Sequence, residues 1–300
     1  MLVSMKEIIT KAYEGHYCVM APNFNNESEA RAAVEVAEEM NCPIILDFVY
    51  GCHPDIIELG RIATKIAEDA TVPVCVNQDH GGCLAHNMAA IRAGFTGIMV
   101  DRSTLPLEEN IKQVREVAEI CHSLGIGVEG ELGHVGANDE TIEDQSLFTD
   151  PLQAKRYVEE TGVDQLAISI GTAHGTYKIA PHLRFDVLEA IRDTVNVPLV
   201  LHGSSGTGDD QLRKCCELGI NKMNVYTDLL TASIKAAQGF DFEKDSMLEF
   251  YKIFLGGYKT RLKEYIEFSG SKGKAWTKEN TEGISNKKIV FTQDEFKQSM

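Results

Sequence analysis

Short apolar runs recur along this chain of 300 residues, and a stretch with helical periodicity follows most of them. Continuous apolar strands that alternate with helices predict a parallel sheet whose two faces are both covered. Eight such units in about 230 residues favour an α/β fold of the (β/α)8 TIM-barrel type over a doubly wound sheet, which typically has fewer strands. The eight runs with the length and composition of buried strands are residues 17–24, 43–49, 72–77, 97–101, 127–131, 165–170, 198–201 and 222–225.

The barrel is expected to occupy residues 1–276 as a single domain. Residues 277–300 are mostly polar and carry one strand-like run. We expect this C-terminal extension to be a surface element or a subunit contact without a chemical role. The segments with helical spacing inside the barrel include 27–40, 54–69, 84–93 and 106–124.

The acidic balance of the chain excludes several classes of partner. Its 29 Lys+Arg against 45 Asp+Glu give a formal net charge of −16, whereas binding to nucleic acid or to an anionic membrane needs clustered positive charge. No apolar run approaches the ~20 residues of a membrane-spanning helix, and the N-terminal segment has no signal-peptide pattern. The 8 cysteines form no CxxC pair, so we expect free thiols and a cytoplasmic protein.

Polar residues follow the strand-like runs at the point where each run ends. In a (β/α)8 barrel the active site lies at this end of the strands. Buried carboxylates and imidazoles are costly in a core unless they are paired or bind a metal, so their collection at one rim predicts a functional site. These residues are Asn23, Asp47, Asp79, His80, Asp101, Glu129, Glu131, His174, His202 and Asn224.

Three of the 9 histidines, His80, His174 and His202, directly follow three different predicted strands. Three neutral imidazoles with one open position make a catalytic zinc site, because zinc accepts a tetrahedral set of nitrogen ligands. Asp79 precedes the first of these histidines, and its carboxylate is either an orienter of a ligand or a proton-transfer group for bound substrate. The spacing leaves both roles open. His134 also lies in a loop after a strand, but a structural role is favoured for it.

Glycine-bearing loops close the last three predicted strands, at residues 171–175, 202–206 and 224–227. In barrels of this type the loops after the seventh and eighth strands often bind phosphate through backbone N–H groups and hydroxyls. Lys178 adds a cation close to the first of these loops. The three loops together therefore predict an anion site beside the metal.

Eight short motifs make the chain resemble the class II, metal-dependent ketose-bisphosphate aldolases, the family of fructose- and tagatose-bisphosphate aldolases. The resemblance spans residues 5–274 and rests on PNFNN, NQDHGG, GIMVDRS, VEGELGHVG, AISIGTAHGTYK, LVLHGSSG, INKMNVYTD and FSGSKGKA. It implies a carbon–carbon lyase that splits a phosphorylated ketose into dihydroxyacetone phosphate and an aldehyde. One catalytic zinc ion is implied, a monovalent cation is a further candidate, and a homodimer or homotetramer is expected.

The same resemblance assigns roles to individual residues. It implies that His80, His174 and His202 bind zinc and that Asp79 moves the proton of the C4 hydroxyl. The residues that match the binding site for the C1 phosphate and the enediolate are Asn23, Gly175, Lys178, Gly203, Ser205, Asn224 and Thr227.

Three further acids match positions of the family. Asp101 and Glu131 correspond to acids near the metal. Asp139 lies in the loop that carries another catalytic acid, although the family pattern GGxED reads GANDE in this chain.

The residues that hold a second phosphate in the fructose-bisphosphate members are not matched. A serine, two arginines and an aspartate of the family align with Val49, Leu230, Tyr251 and Tyr226. Each lost guanidinium contact removes roughly 1.5–3 kcal/mol of binding. We therefore expect dihydroxyacetone phosphate and an aldehyde without a terminal phosphate as products.

Other residues near the strand ends would then recognise the aldehyde. Arg102 stands where the family usually has a small residue, and it suits a carboxylate or sulfonate on the substrate. A structural ion pair with a rim acid is the alternative for Arg102. The specificity candidates are Asp47, Tyr50, His53, Arg102, Tyr226 and Tyr251.

Two other functions remain open at this point. One is a standard fructose- or tagatose-bisphosphate aldolase, in which the missing contacts are replaced. The other is a non-catalytic sugar-phosphate-binding subunit, which the complete set of Asp79 and three histidines argues against.

Overall fold

The computed structural model describes residues 1–51, 53–136, 147–175, 177, 181–241, 243, 244 and 246–277. Eight strands lie within them: β1 (Val19–Pro22), β2 (Ile44–Val49), β3 (Val74–Asp79), β4 (Gly97–Val100), β5 (Gly127–Leu132), β6 (Gln165–Ile168), β7 (Leu199–Leu201) and β8 (Ile220–Val225). They form one sheet in the order β1-β8-β7-β6-β5-β4-β3-β2, and every described pair of neighbours is parallel.

The two ends of this sheet meet, so the barrel is nearly closed. Just beyond β1, Asn23 pairs with Asp47 of β2 in an isolated parallel bridge. The backbone N–H of Phe24 also donates to the carbonyl of Asp47 at 3.2 Å. The predicted (β/α)8 barrel is confirmed.

Helices alternate with the strands, as the periodicity predicts. The first predicted strand is longer than β1, because the ladder to β8 covers only Val19–Pro22. The third helix begins at Ile56 rather than at the predicted residue 54, because the Asp55 carboxylate accepts from the N–H groups of Ile57 and Glu58 at 2.9 Å and caps the helix. The helices are α1 (Met5–Glu14), α2 (Glu27–Glu39), α3 (Ile56–Asp69), α4 (Leu84–Ala93), α5 (Leu107–Ser123), α6 (Pro151–Thr161), α7 (Phe185–Arg192), α8 (Asp209–Leu218), α9 (Thr227–Ala236) and α10 (Met247–Ser269).

Helix α1 covers the amino-terminal ends of the strands. Its apolar face, Met5, Ile8, Ile9 and Ala12, is fully buried. Strands β4 and β5 begin with glycines, Gly97 and Gly127, and α1 lies against both. A Cβ added at Gly127 would lie 2.8 Å from the Cβ of Met5. A larger residue there would push the helix away, so the lower end of the barrel is sealed by close backbone contact.

The described cysteines are free, and six of the seven are buried. Cys83, at the start of α4, is exposed. None of the helices in the described residues has the length and apolar composition needed to cross a bilayer. The expected C-terminal extension lies outside the described residues from position 278 onward.

Candidate active site

A cavity of about 580 Å³ opens at the carboxyl ends of the strands. The fold thus brings together residues that are far apart in sequence, as the strand-end pattern predicts. Lys178 and Asp139 lie outside the described residues. The predicted site residues that line the cavity are Asn23, Asp79, His80, Asp101, His174, Gly175, Gly203, Ser205, Asn224, Tyr226 and Thr227.

Three imidazole rings converge on one point: those of His80 and His174 line this cavity, and that of His202 is fully buried. His80 follows β3, His174 follows β6 and His202 follows β7. The ring centroid of His80 lies 4.8 Å from those of both other histidines, which are themselves 6.0 Å apart. One nitrogen from each ring lies within 4.8 Å of the other two, so the three residues could hold a single metal ion.

Neighbouring acids fix which nitrogen of His80 and of His202 faces the centre. His80 Nδ1 lies 2.9 Å from Asp101 Oδ2, and His202 Nε2 lies 2.8 Å from Glu129 Oε1. With those nitrogens donating to carboxylates, His80 Nε2 and His202 Nδ1 face each other at 3.1 Å. Two imidazole lone pairs at this distance need a cation between them, either a proton or a metal ion.

The remaining histidine presents a third unpaired nitrogen. His174 Nε2 is buried and has no hydrogen-bond partner. Burial, with the neighbouring His80 and His202, lowers the pKa of His174 to about 3, so this ring stays neutral and keeps a lone pair. With His80 deprotonated, three imidazoles around one point form a donor set that suits catalytic zinc.

The charge around His80 favours a cation at this point. Burial lowers the pKa of His80, but the carboxylates of Asp79 and Asp101 outweigh burial and raise it to about 10. Burial also opposes ionisation of Asp101, yet its hydrogen bond from His80 holds the pKa of Asp101 below its usual range. A bound metal would therefore displace one proton from His80.

Asp79 lies beside the histidines but is held by amides. Its Oδ1 accepts from Asn224 Nδ2 at 3.0 Å, and its Oδ2 accepts from Asn23 Nδ2 at 2.8 Å. The nearest imidazole nitrogens, on His80 and His202, are both 3.8 Å away. Burial raises the pKa of Asp79, but these imidazoles outweigh burial, so the pKa lies below its usual range and the group is a carboxylate.

Glu131 is a second acid beside the metal position. It is buried, its Oε1 accepts from the N–H of Val135 at 3.3 Å and its Oε2 has no hydrogen-bond partner. Burial and the charge of Asp101 raise the pKa of Glu131 to about 8. His80, Asp101 and Glu131 form another group that could hold a metal ion.

Beneath the histidines the barrel interior contains an ion cluster, formed by Asp47, Glu129 and Lys222. All three side chains are fully buried. Lys222 Nζ lies 3.0 Å from Glu129 Oε2 and 3.2 Å from Asp47 Oδ2. Burial lowers the pKa of Lys222, but the two carboxylates outweigh burial and raise it, so the residue is an ammonium.

The loops after β6 and β7 meet at backbone distance on one side of the cavity. Gly203 has φ +65°, and a Cβ added there would lie 2.6 Å from the carbonyl oxygen of Ala173. The Tyr177 hydroxyl accepts from the N–H of Ala173 at 2.6 Å and lies 2.8 Å from the carbonyl oxygen of Gly203. The glycine therefore permits a close approach that a side chain would prevent.

The amino terminus of α9 faces the same side of the cavity. Thr227 begins this helix and lines the cavity. Ser205 Oγ accepts from the N–H of Asp228 at 3.1 Å, which joins the β7 loop to the first turn of the helix. The amino terminus of a helix carries partial positive charge, which favours an anion on this side of the cavity.

Arg102 lies outside the cavity above the histidines. Its guanidinium donates to Gln113 Oε1 and to the carbonyl oxygens of Gly81 and Asp101, each at 2.7 Å. It lines a separate cavity of about 410 Å³ and not the one above the histidines. Arg102 thus connects the loops after β3 and β4 through the carbonyl groups of Gly81 and Asp101, and no salt bridge of Arg102 to a rim acid is found among the described residues.

The other specificity candidates also lie away from the cavity, with one exception. Asp47 is sealed in the ion cluster, and the half-exposed Tyr50 stacks on His86 with 3.8 Å between ring centroids. His53 contacts the backbone of Asp55, and Tyr251 is an exposed residue of α10. Tyr226 lines the cavity, and its hydroxyl donates to Asn25 Oδ1 at 2.7 Å.

Sequence reasoning missed Lys222, and it gave His134 and Glu129 no specific part in the site. His134 lines the cavity, with its Nδ1 3.2 Å from Ser103 Oγ. Glu129 was noted at the rim but not as a partner of a histidine. Lys222 was not singled out, although a lysine inside an apolar strand must be paired, and its position two residues before Asn224 places both side chains on the same face of β8.

The sequence profile described as "Fructose-bisphosphate aldolase class-II" matches residues 3–274. The chain belongs to the class II fructose-bisphosphate aldolase family. This family consists of lyases that are generally metal-dependent, which agrees with the convergence of three histidines on one point.

Individual class II aldolases and their relatives resemble the chain over most of its length. The YdjI protein of Escherichia coli K12 is 36% identical over 281 residues, which cover 92% of this chain and 100% of YdjI. The crystal structure of the YdjI aldolase superimposes with a TM-score of 0.82 over 92% of this chain and 100% of its own. The fructose-bisphosphate aldolase of Campylobacter jejuni, 23% identical, shares the fold with a TM-score of 0.76 over 91% of this chain and 97% of its own.

Proposed function

We propose that the protein is a zinc-dependent aldolase that cleaves a ketose 1-phosphate to dihydroxyacetone phosphate and an aldehyde without a terminal phosphate. The observation that carries the proposal is the convergence of His80, His174 and His202 beside a carboxylate, Asp79, that no histidine holds. Such a site combines a place for a metal with a separate group for proton transfer.

Zinc, when bound by the three histidines, supplies positive charge that stabilises the negative charge developing on the ketone fragment, by several kcal/mol. The chain contributes the proton transfer. As the C3–C4 bond breaks, the C4 hydroxyl must lose its proton, and the carboxylate of Asp79 takes it. Asn23 and Asn224 hold both oxygens of Asp79 in place for this step.

Asp101 and Glu129, rather than Asp79, orient the histidines. Each accepts a hydrogen bond from the nitrogen that faces away from the centre, which leaves the inner nitrogen free as a ligand. This division favours proton transfer over ligand orientation as the role of Asp79.

The phosphate on C1 would bind between the β6 loop, the β7 loop and the start of α9. Gly175, Gly203, Ser205 and Thr227 line this side of the cavity and supply N–H groups and hydroxyls. Asp139 and Lys178 remain candidates for a catalytic acid and a phosphate contact.

The opposite side of the cavity supports the absence of a second phosphate. Among the described residues that line the cavity there is no lysine or arginine, and Val49 and Tyr226 occupy the sides where a second phosphate would need cations. A neutral polyhydroxylated aldehyde suits this surface better than a phosphorylated one.

A panel of ketose 1-phosphates that differ from C4 to C6 tests the proposal by release of dihydroxyacetone phosphate. We expect turnover that a chelator abolishes and zinc restores, with fructose 1,6-bisphosphate no better than its 1-phosphate analogue. A kcat/KM for the bisphosphate within about 10⁴–10⁸ M⁻¹s⁻¹ and far above that of the other ketoses contradicts the distal part of the proposal. Zinc binding without turnover on any ketose contradicts the aldolase assignment and favours a binding subunit.

A further inference from the structure

Lys222 lies inside the barrel with no solvent-exposed surface. Its ammonium donates to Asn224 Oδ1 at 2.7 Å and lies within ion-pair distance of Glu129 and Asp47. A lysine ammonium has three protons, and three acceptors surround this one. The residue is absent from the described lining of the cavity, so any effect on bound substrate passes through a neighbour.

These contacts decide which way the Asn224 amide faces. A lysine ammonium only donates, so the amide atom that faces it must be the oxygen. The amide nitrogen then faces the other way and donates to Asp79 Oδ1 at 3.0 Å. An amide turned by half a rotation would present NH₂ to the ammonium and its oxygen to the Asp79 carboxylate, which are two repulsive contacts.

The same ammonium also contacts the support of a histidine. Glu129 Oε2 lies 3.0 Å from Lys222 Nζ, and Glu129 Oε1 lies 2.8 Å from His202 Nε2. Lys222 therefore contacts the direct partner of Asp79 on one side and the direct partner of His202 on the other. No other lysine or arginine among the described residues lies within ion-pair distance of Glu129.

We propose that Lys222 is a positioning residue whose ammonium sets the orientation of the Asn224 amide and thereby holds Asp79 for proton transfer. The inference rests on the proposed aldolase function, because it concerns the proton step of that reaction. It assigns a role in turnover to a residue that touches neither the substrate cavity nor the metal position.

A double-mutant cycle in kcat tests this path. We expect Lys222→Met to lower kcat by about 30-fold or more, while zinc content stays at the wild-type level. Asn224→Ala lowers kcat as well, and the double variant should lie within about twofold of Asn224→Ala alone, because residues that act through one another are not additive. Additive losses in the double variant overturn the proposal, since Lys222 then acts independently of the amide.

Asn221→Ala is the matched control on the same strand. Asn221 is also buried and polar, but its amide donates to the carbonyl oxygen of Tyr17 and not to a residue of the site. We expect this variant to keep kcat, even if it lowers thermal stability. A loss of kcat equal to that of Lys222→Met would show a general effect of perturbing β8 and would contradict the proposal.

An NMR measurement on zinc-free protein labelled with ¹⁵N-asparagine tests the amide orientation without any turnover. The side-chain NH₂ signals of Asn224 are identified by their loss in Asn224→Ala. We expect them to keep their positions in Asn221→Ala and to move in Lys222→Met. Unmoved signals in Lys222→Met overturn the inference. If the wild-type protein releases no dihydroxyacetone phosphate, the proposed function is contradicted. The NMR comparison still tests the orientation of the Asn224 amide, because it does not depend on turnover.

Lys222→Met leaves two buried carboxyl groups and can prevent folding. In that event the cycle and the NMR comparison are run in an Asp47→Asn background, which removes one of them. The Asn77 amide, whose Oδ1 has no hydrogen-bond partner, can turn to accept from the amide introduced at position 47. In that background too, the double variant should have the kcat of the Asn224→Ala variant. Additive losses of kcat would again overturn the proposal.

Discussion

At the scale of single residues, the backbone of His80 explains how two neighbouring side chains reach one site. Successive strand residues point to opposite faces, yet both Asp79 and His80 line the cavity. His80 has φ +49°, in the left-handed region that costs a non-glycine residue roughly 1–2 kcal/mol. Gly81 follows it, and a Cβ there would lie 2.6 Å from the carbonyl oxygen of Met99. The chain therefore turns at His80 and can do so only with glycine next.

Removal of the Asp79 carboxylate should separate metal binding from turnover. We expect Asp79→Asn to bind zinc like the wild type, because His80 and His202 keep their own acid partners, Asp101 and Glu129. Its kcat should fall by about 10²–10⁴-fold, the usual worth of a positioned proton-transfer group. Zinc content by mass spectrometry and release of dihydroxyacetone phosphate measure the two effects. His80→Ala is the companion variant and should lose both. Full activity in Asp79→Asn would rule out the assigned role.

Zinc affinity should depend on pH through His80. The pKa of His80 is raised to about 10, so below that pH zinc must displace one proton. We expect the apparent affinity to rise by about tenfold per pH unit from pH 7 to 9, measured by competition with a chelator. Asp101→Asn removes the hydrogen bond that helps to raise this pKa and should flatten the dependence. A flat profile in the wild type contradicts the prediction.

At the scale of elements, the strand ends could be predicted from sequence, but the direction of the loop side chains could not. The alternation of apolar runs and helical segments identified all eight strands and placed His80, His174 and His202 at one rim. Arg102 lies one residue beyond a predicted strand as well, yet it turns back to the main chain. The sequence predicts the end of a strand only to within a residue or so. A shift of one residue turns each side chain to the opposite face of the sheet.

The loops after β6 and β7 depend on one hydroxyl. In Tyr177→Phe the buried N–H of Ala173 loses its acceptor, which costs about 1–3 kcal/mol. We expect the inhibition constant of inorganic phosphate to rise about tenfold, because both loops line the anion side of the cavity. Tyr13→Phe makes the same chemical change on exposed α1 surface and serves as the control. Equal phosphate inhibition in both variants would show that the hydroxyl does not position the loops.

At the scale of the whole molecule, zinc would connect β3 with β6 and β7, which are separated from β3 by at least two other strands of the sheet. Its ligands follow β3, β6 and β7, so a bound ion ties one side of the barrel to the other. A ligand at about 1,000 times its dissociation constant stabilises the folded state by about 4 kcal/mol. We expect chelation to lower the melting temperature by about 5–10 °C while the far-UV spectrum is retained. His174→Ala should melt at the same temperature with or without chelator. An unchanged melting temperature in the wild type would exclude this link.

The barrel was predictable because periodicity and length are properties of the whole chain. The contacts in the barrel interior were harder to predict. Lys222, Glu129 and Asp47 are distant in sequence and form a cluster only when β2, β5 and β8 come together in the folded barrel. A net charge of −16 does not reveal that one buried cation supports the site. Such pairings depend on register, which a single sequence does not specify.

Helix α1 closes the lower end of the barrel, and this affects how substrate enters and how products leave. Met5 lies close to Gly97 and Gly127 at this end, and the interior of a (β/α)8 barrel is filled by side chains and is not a pore. Substrate and both products of an aldol cleavage must therefore share the upper opening. The two fragments leave by the route along which the intact sugar entered, so a fragment that lingers there blocks the next molecule.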